Sequence, residues 1–161
     1  MTKSKAISRA LMGLTLALHL GVVGAVCMNP RTWVSGYKVP LAQEIREAEA
    51  VVIGRVVSEQ PLQEDPADPV GVTSYNVSVR VLARLKGNVP DVLVIRNENT
   101  SSRYAMGIGE EHILFVSRFG ADIRVDACGN SNLRAKAPQL ARKIQRQLQE
   151  RATHVHKQQD S

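Results

Sequence analysis

Aromatic residues are scarce in this chain: two Phe, three Tyr and one Trp among 161 residues. A core dominated by packed rings is thereby excluded. The interior has to be assembled mainly from Val, Ile and Leu, a composition that favours strands. Cysteine is as sparse, with only Cys27 and Cys128 present, so at most one bridge can close within the molecule. There is no internal repeat to suggest an array, and about 136 residues beyond the amino-terminal segment suffice for one domain with its own core. Long apolar runs are also missing. The stretch at residues 10–26 is broken by Thr15 and His19 and is shorter than the roughly 20 residues a membrane-spanning helix needs.

That stretch is preceded by Lys3, Lys5 and Arg9 and ends in small residues near Ala25, the order of parts in an export signal. Residues 1–25 are therefore expected to be a signal peptide, cleaved after Ala25 to leave Val26-Cys27 at the new terminus. An uncleaved anchor is the alternative. Acylation of Cys27 would need a small residue directly before it, and Val26 stands there instead. A disulfide between Cys27 and Cys128 is the expected use of both thiols, and it would bracket almost every strand-like run. The location implied is periplasmic or secreted, with membrane attachment through an uncleaved signal or a lipidated Cys27 as the other reading.

The formal charge of +6 is unevenly spread. Residues 26–133 carry 11 basic and 13 acidic groups, whereas residues 134–161 carry seven basic and two acidic ones. The high pI thus belongs to the tail, and nucleic acid is not an expected partner of the domain.

After an extended leader at residues 30–40, residues 41–50 place Leu41, Ile45 and Ala48 at helical spacing. The β-branched run 51–57 reads as a first strand, with Gly54 marking a bulge or sharp bend. Proline and acidic residues at 59–72 predict an exposed loop. Tyr75, Val77, Val79, Val81, Ala83 and Leu85 then alternate with mostly polar residues, predicting a long antiparallel strand with one face in a core. Lys86-Gly87-Asn88 turns the chain into a third strand at 92–95; a fourth follows at 112–116 and a fifth at 122–126. Beyond Pro138, Leu140, Ile144 and Leu148 give a narrow stripe on a basic amphipathic helix, residues 134–152, and residues 153–161 are expected to be a disordered tail. The fold class expected is mainly β, most economically a five-stranded closed barrel between a short amino-terminal helix and a carboxy-terminal one; an open sheet or a sandwich is the alternative.

Several segments in order carry a family resemblance. They are Cys27 with Pro30, Glu49-Ala50-Val51-Val52-Ile53-Gly54-Arg55-Val56, Tyr75-Asn76-Val77-Ser78-Val79, Leu85-Lys86-Gly87, Ile108-Gly109-Glu110-Glu111-His112-Ile113-Leu114-Phe115, and Asp126-Ala127-Cys128-Gly129-Asn130-Ser131. Residues 26–133 resemble the netrin-like domains, and among them the bacterial secreted relatives of the tissue inhibitors of metalloproteinases. The resemblance implies an OB-type barrel whose amino-terminal cysteine is tied close to the last strand. The inhibitors carry two closely spaced cysteines there, the first presenting its free amine and carbonyl to a protease zinc; here a single Cys27 is followed by Met28 and Asn29, and the loop at 97–104 has no cysteine.

The expected function is that of an exported, non-enzymatic interaction module. It would recognise a protein partner, a protease among the candidates, through a rim formed by Met28, Asn29, Pro30, Trp33, Asn99, Arg103 and Tyr104. A metalloproteinase inhibitor-like protein and an envelope-attached lipoprotein of structural role are the alternatives. Trp33 is expected to cover one end of the barrel near the disulfide. No cofactor or metal is implied: His154 and His156 are two ligands in a tail, and Glu64, Asp65 and Asp68 lack EF-hand spacing. His112 beside Glu110 and Glu111 could serve as a general base, against the blander reading of a polar residue at a strand edge. Asn76 and Asn99 head glycosylation sequons, the former inside a predicted strand. The basic terminal helix, with Arg142, Lys143, Arg146 and Arg151, is a candidate for peripheral contact with an anionic membrane; no integral membrane segment is expected once the signal is removed.

Overall fold

The computed structural model describes residues 27–29, 31–101 and 103–159, with side chains to residue 153. The signal segment, Val26, Pro30 and the side chains of His154 and His156 lie outside the described residues. The fold is mainly β, with α1 at Leu41–Glu47, β1 at Ala50–Leu62, β2 at Ser74–Lys86, β3 at Val92–Glu98, β4 at Glu111–Phe119, β5 at Asp122–Val125, β6 at Asn132–Leu133 and α2 at Leu140–Gln159. Five strands form a ring: β1 pairs with β2, β2 with β3, β3 with β5, β5 with β4, and β4 returns to β1. All these pairings are antiparallel except β3 with β5, which meet in parallel at the single pair Ile95 and Ile123.

That seam is closed by side chains. Arg96 on β3 pairs with Glu64, with Glu98 at 3.2 Å and with Asp122 of β5 at 3.7 Å. Arg124 of β5 reaches Glu98 at 3.0 Å and Asp122 at 3.2 Å. A network of this kind stabilises more than isolated surface pairs do.

Two apolar clusters explain the sequence pattern. Ala50, Val52, Val56, Val77, Val79, Leu93, Ile95, Leu114 and Val116 pack inside the ring. Val51, Ile53, Ile113 and Phe115 point outward and pack with Ile45 and Ala48 near α1 and with Ile144 of α2. β1 and β4 are thus buried on both faces, which is why they read as unbroken apolar runs instead of alternating ones. Gly54 sits where a Cβ would overlap Val79 Cγ1, and the β1–β2 register shifts between Ile53 and Gly54, so the expected bulge is present.

The ends of several elements differ from expectation. β1 continues through residues 59–62, which were expected to loop: β4 covers β1 only along residues 50–55, so Pro61 occupies strand backbone with no partner on that side. A short strand, β6, joins the edge of β4, pairing Leu133 with His112 and Asn132 with Ile113. Residues Arg134–Lys136 form a separate 3-10 turn, so α2 starts only at Leu140, and it runs to Gln159.

α1 is seven residues long and owes its place to tertiary contacts. Lys86, from the end of β2, donates to the carbonyls of Ile45 at 2.7 Å and Arg46 at 3.0 Å, and also bonds that of Ala48, capping the carboxy-terminal end of the helix. Gly87 has φ +76, and a Cβ there would meet Glu49 O at 2.5 Å, so glycine is required where the turn passes under the helix end. Glu44, buried within α1, accepts from Asn130 N and Asn130 Nδ2, each at 2.6 Å. Its Oε1 lies where a Cβ of residue 129 would be, which explains Gly129.

Candidate functional site

Cys27 and Cys128 are disulfide-bonded, with Cα atoms 5.4 Å apart across a sequence separation of 101. The leader is pinned further by Tyr37 N donating to Cys27 O at 3.0 Å, by Val39 N donating to Cys128 O at 3.3 Å, and by Asn130 Nδ2 donating to Val39 O at 2.8 Å. Between these ties the chain makes a tight reversal in which Met28 bridges Ser35. Asn29 organises it: its Oδ1 accepts from Arg31 N and Thr32 N, while its backbone exchanges bonds with Trp33 and Val34. Trp33 takes φ 58, the only positive φ of a non-glycine residue among those described.

The reversal turns its apolar side chains outward. Trp33 is 73% exposed, Val34 63% and Met28 47%. The expectation that Trp33 covers an end of the ring is therefore corrected: the left-handed backbone at the tip directs the indole to solvent.

The loop at 97–104 is built from β3 outward. Asn97, buried, donates through Nδ2 to Tyr104 O at 2.9 Å and fixes the loop's width. Asn99 N donates to Thr73 O and Asn99 Nδ2 to Val72 O, while its Oδ1 accepts from Arg103 at 3.2 Å. Arg103 lies over the Tyr75 ring, 4.9 Å from its centroid. Asn99 is thus a positioning residue, and Arg103 and Thr100 face a shallow cleft of about 250 Å3 that is also lined by Tyr104, Arg96, Arg124, Asp126 and Cys128. The structure brings Cys128, Arg103 and Tyr104 together on this cleft, with Cys27 and the leader joined to it through the disulfide. Arg96, Arg124 and Asp126 were not singled out from sequence, because their place depends on the β3–β5 seam.

His112 is 2% exposed, not a solvent-facing edge residue. The β4 alternation puts it on the inward side with Leu114. Tyr104 Oη lies 2.9 Å from His112 Nδ1, and His112 Nε2 lies 3.1 Å from Glu110 Oε2. Glu110 also accepts from Gly107 N at 2.8 Å, and that bond, then the His112 bond, holds its carboxyl below the usual range, so it is ionised and can only accept. Nε2 therefore carries the imidazole proton, and Tyr104 donates to Nδ1. Burial lowers the His112 pKa and raises that of Tyr104, keeping the ring neutral and the phenol protonated. Both ring nitrogens are engaged, so no lone pair is left to take a proton from a substrate.

No family model matches the chain, and no curated protein matches it.

The remaining candidates resolve into local roles. Glu64 pairs with Arg96 and accepts from Thr73 and Ser74, while Asp65 and Asp68 cap turns at Ala67 N and Gly71 N. Asn76 lies within β2, opposite Arg96 of β3. Among the described residues no group of three or more His, Cys, Asp or Glu is placed to hold a metal ion, and no helix is long and apolar enough to cross a membrane.

Proposed function

We propose that this protein is an exported interaction module of the netrin-like class, with an OB-type barrel, that recognises a protein partner through the leader reversal and the adjoining cleft without catalysing a reaction. The carrying observation is the exposed trio Met28, Trp33 and Val34, on a reversal tied by the disulfide to Cys128, which lines the cleft with the loop at 97–104. Large apolar side chains displayed together on an over-determined, strained turn are what a contact surface needs and what a solvated loop has no use for. The five-strand ring, with one helix before it and one after it in the chain, supports the barrel reading, and the disulfide is compatible with an oxidising compartment.

Two other readings have less support. In the inhibitors that the chain resembles, the first cysteine offers its carbonyl to zinc, whereas Cys27 O already accepts from Tyr37 N. A general-base role for His112 meets the occupied nitrogens described above.

The test is capture of partners from culture fluid and envelope extract by the disulfide-bonded protein and by its Met28→Ser/Trp33→Ser variant. Loss of specific partners from a variant that keeps its thermal midpoint is expected. Capture of the same partners at the same yield would overturn the proposal.

A further inference from the structure

A second cleft of about 310 Å3 opens between the leader, the turn after Cys128 and the start of α2. Its lining includes Lys38, Lys136 and Lys143, together with Asn130, Asn132 and Gln139. None of the three ammonium groups makes a hydrogen bond or ion pair among the described residues. Neither does the side-chain amide of Asn132, which is half-buried, nor that of Gln139. No carboxylate lines the cleft. Glu44 lies behind Asn130 and is held by it.

Several other surface cations are placed differently. Arg55, Arg84, Arg96, Arg118, Arg124 and Arg134 each meet a carboxylate. Carboxylates act on two of these lysines without bonding to them, Glu44 on Lys38 and Glu110 on Lys136, and neither carboxylate lines the cleft. The first turn of α2 has no acidic residue and carries Lys143, the reverse of what the helix dipole favours. A cleft lined by three lysines and side-chain amides, with no carboxylate in its wall, has the lining of an anion site.

We propose that this cleft binds a phosphate group, as a phosphomonoester or as a lipid headgroup. Three ammonium groups from separate elements would surround a dianion, the amides of Asn132 and Gln139 would supply directional donors, and the amino-terminal turn of α2 would add its partial positive charge. The volume suits a phosphoryl group with a small substituent and stands at the low end of small-molecule sites.

The experiment titrates inorganic phosphate and glycerol phosphate into the disulfide-bonded protein while backbone amide resonances are followed. In parallel, co-sedimentation with phosphatidylglycerol-containing and pure phosphatidylcholine vesicles is measured. Saturable shifts at residues 38, 132 and 136–143 are expected, weakened at least about tenfold in Lys38→Gln/Lys136→Gln/Lys143→Gln. Arg80→Gln/Arg146→Gln/Arg151→Gln removes equal charge elsewhere and is expected to change affinity less than about twofold. Vesicle binding lost only in the lysine variant identifies a headgroup; binding of the soluble phosphates without vesicle binding identifies a soluble phosphoester. No saturation below about 10 mM phosphate, or equal loss in the two triple variants, would overturn the site in favour of diffuse attraction.

Discussion

Replacing Glu44 tests how the leader, α1 and the Cys128 turn are held together. Its carboxylate is 8% exposed and accepts both the backbone N–H and the side-chain amide of Asn130. Glu44→Ala leaves a partly buried backbone donor without its partner, at about 1–3 kcal/mol, and removes a second bond of about 1 kcal/mol. Relief of the carboxylate's own burial offsets part of this. The expected net loss is about 1–3 kcal/mol. Glu44→Gln keeps an acceptor, so it should cost less than about 1 kcal/mol at neutral pH. The two substitutions also differ with pH. Burial raises the Glu44 pKa above its ordinary 4.5, against the opposing effect of the Asn130 bonds. A raised folded pKa means that the acid's stabilising contribution is complete below its unfolded pKa and declines as pH rises through the folded value. Wild type should therefore lose ground to Glu44→Gln between pH 4 and pH 7. Urea denaturation of the three oxidised proteins at pH 4, 5.5 and 7 measures these differences, and titrations common to all three cancel. A Glu44→Ala loss indistinguishable from zero, or a Gln variant as damaged as the Ala variant, would refute the reasoning.

Gly54→Ala should destabilise by about 1–3 kcal/mol through overpacking against Val79, measurable by the same denaturation; a loss below about 0.5 kcal/mol would show that the bulge can relax. Cys27→Ser/Cys128→Ser reopens a loop of 101 residues and should cost up to about 4–5 kcal/mol in the loop-entropy model, with less than about 1 kcal/mol counting against that model here. His112, depressed by burial, should titrate below 6.5 and show the Nε2–H tautomer by nitrogen chemical shift. Its contribution to stability is complete above 6.5 and lost as pH falls towards the folded pKa. An Nδ1–H tautomer or a pKa above 6.5 would contradict the assigned hydrogen-bond directions.

What the sequence revealed followed from short-range periodicity, and what it concealed depended on long-range pairing. The alternation in β2 was legible, yet it was read as facing one core. In the structure Tyr75, Val77, Val79 and Val81 pack inside the ring while Ala83 and Leu85 join the outer cluster. Register shifts at Val51/Val52 and Ile53/Gly54 of the neighbouring strand accompany the change of side. Pro61 predicts a loop because nothing local shows that β1 has a free edge there. Trp33 looked like a core-covering residue because a lone Trp usually is one, and only the turn made by Asn29 sends it outward. Local spacing likewise puts Glu44 with Glu47 on the outer side of the helix, whereas it is buried, because its partner, Asn130, is 86 residues away.

Two short segments, at residues 85–87 and 128–131, hold α1 and the leader in place. In Leu85-Lys86-Gly87 the leucine packs in the outer cluster, the lysine caps α1 and the glycine admits the backbone of Glu49. In Cys128-Gly129-Asn130-Ser131 the cysteine is bridged, the glycine makes room for Glu44, the asparagine ties Glu44 to Val39, and Ser131 Oγ accepts from Phe115 N at 2.9 Å. Such residues record how a scaffold is built and say little about what it meets.

A bridge between the first and last parts of the domain, in a chain with only two cysteines, also bears on how the protein matures. Only one internal connectivity exists, so an oxidant suffices and there is no wrong internal pairing for an isomerase to correct. The hazard lies in timing. When the chain emerges amino-terminus first, Cys27 waits as a free thiol until Cys128 follows 101 residues later, and during that interval its available partners belong to other molecules. Mixed dimers, and not scrambled monomers, are the expected by-product of crowded or overly rapid oxidation.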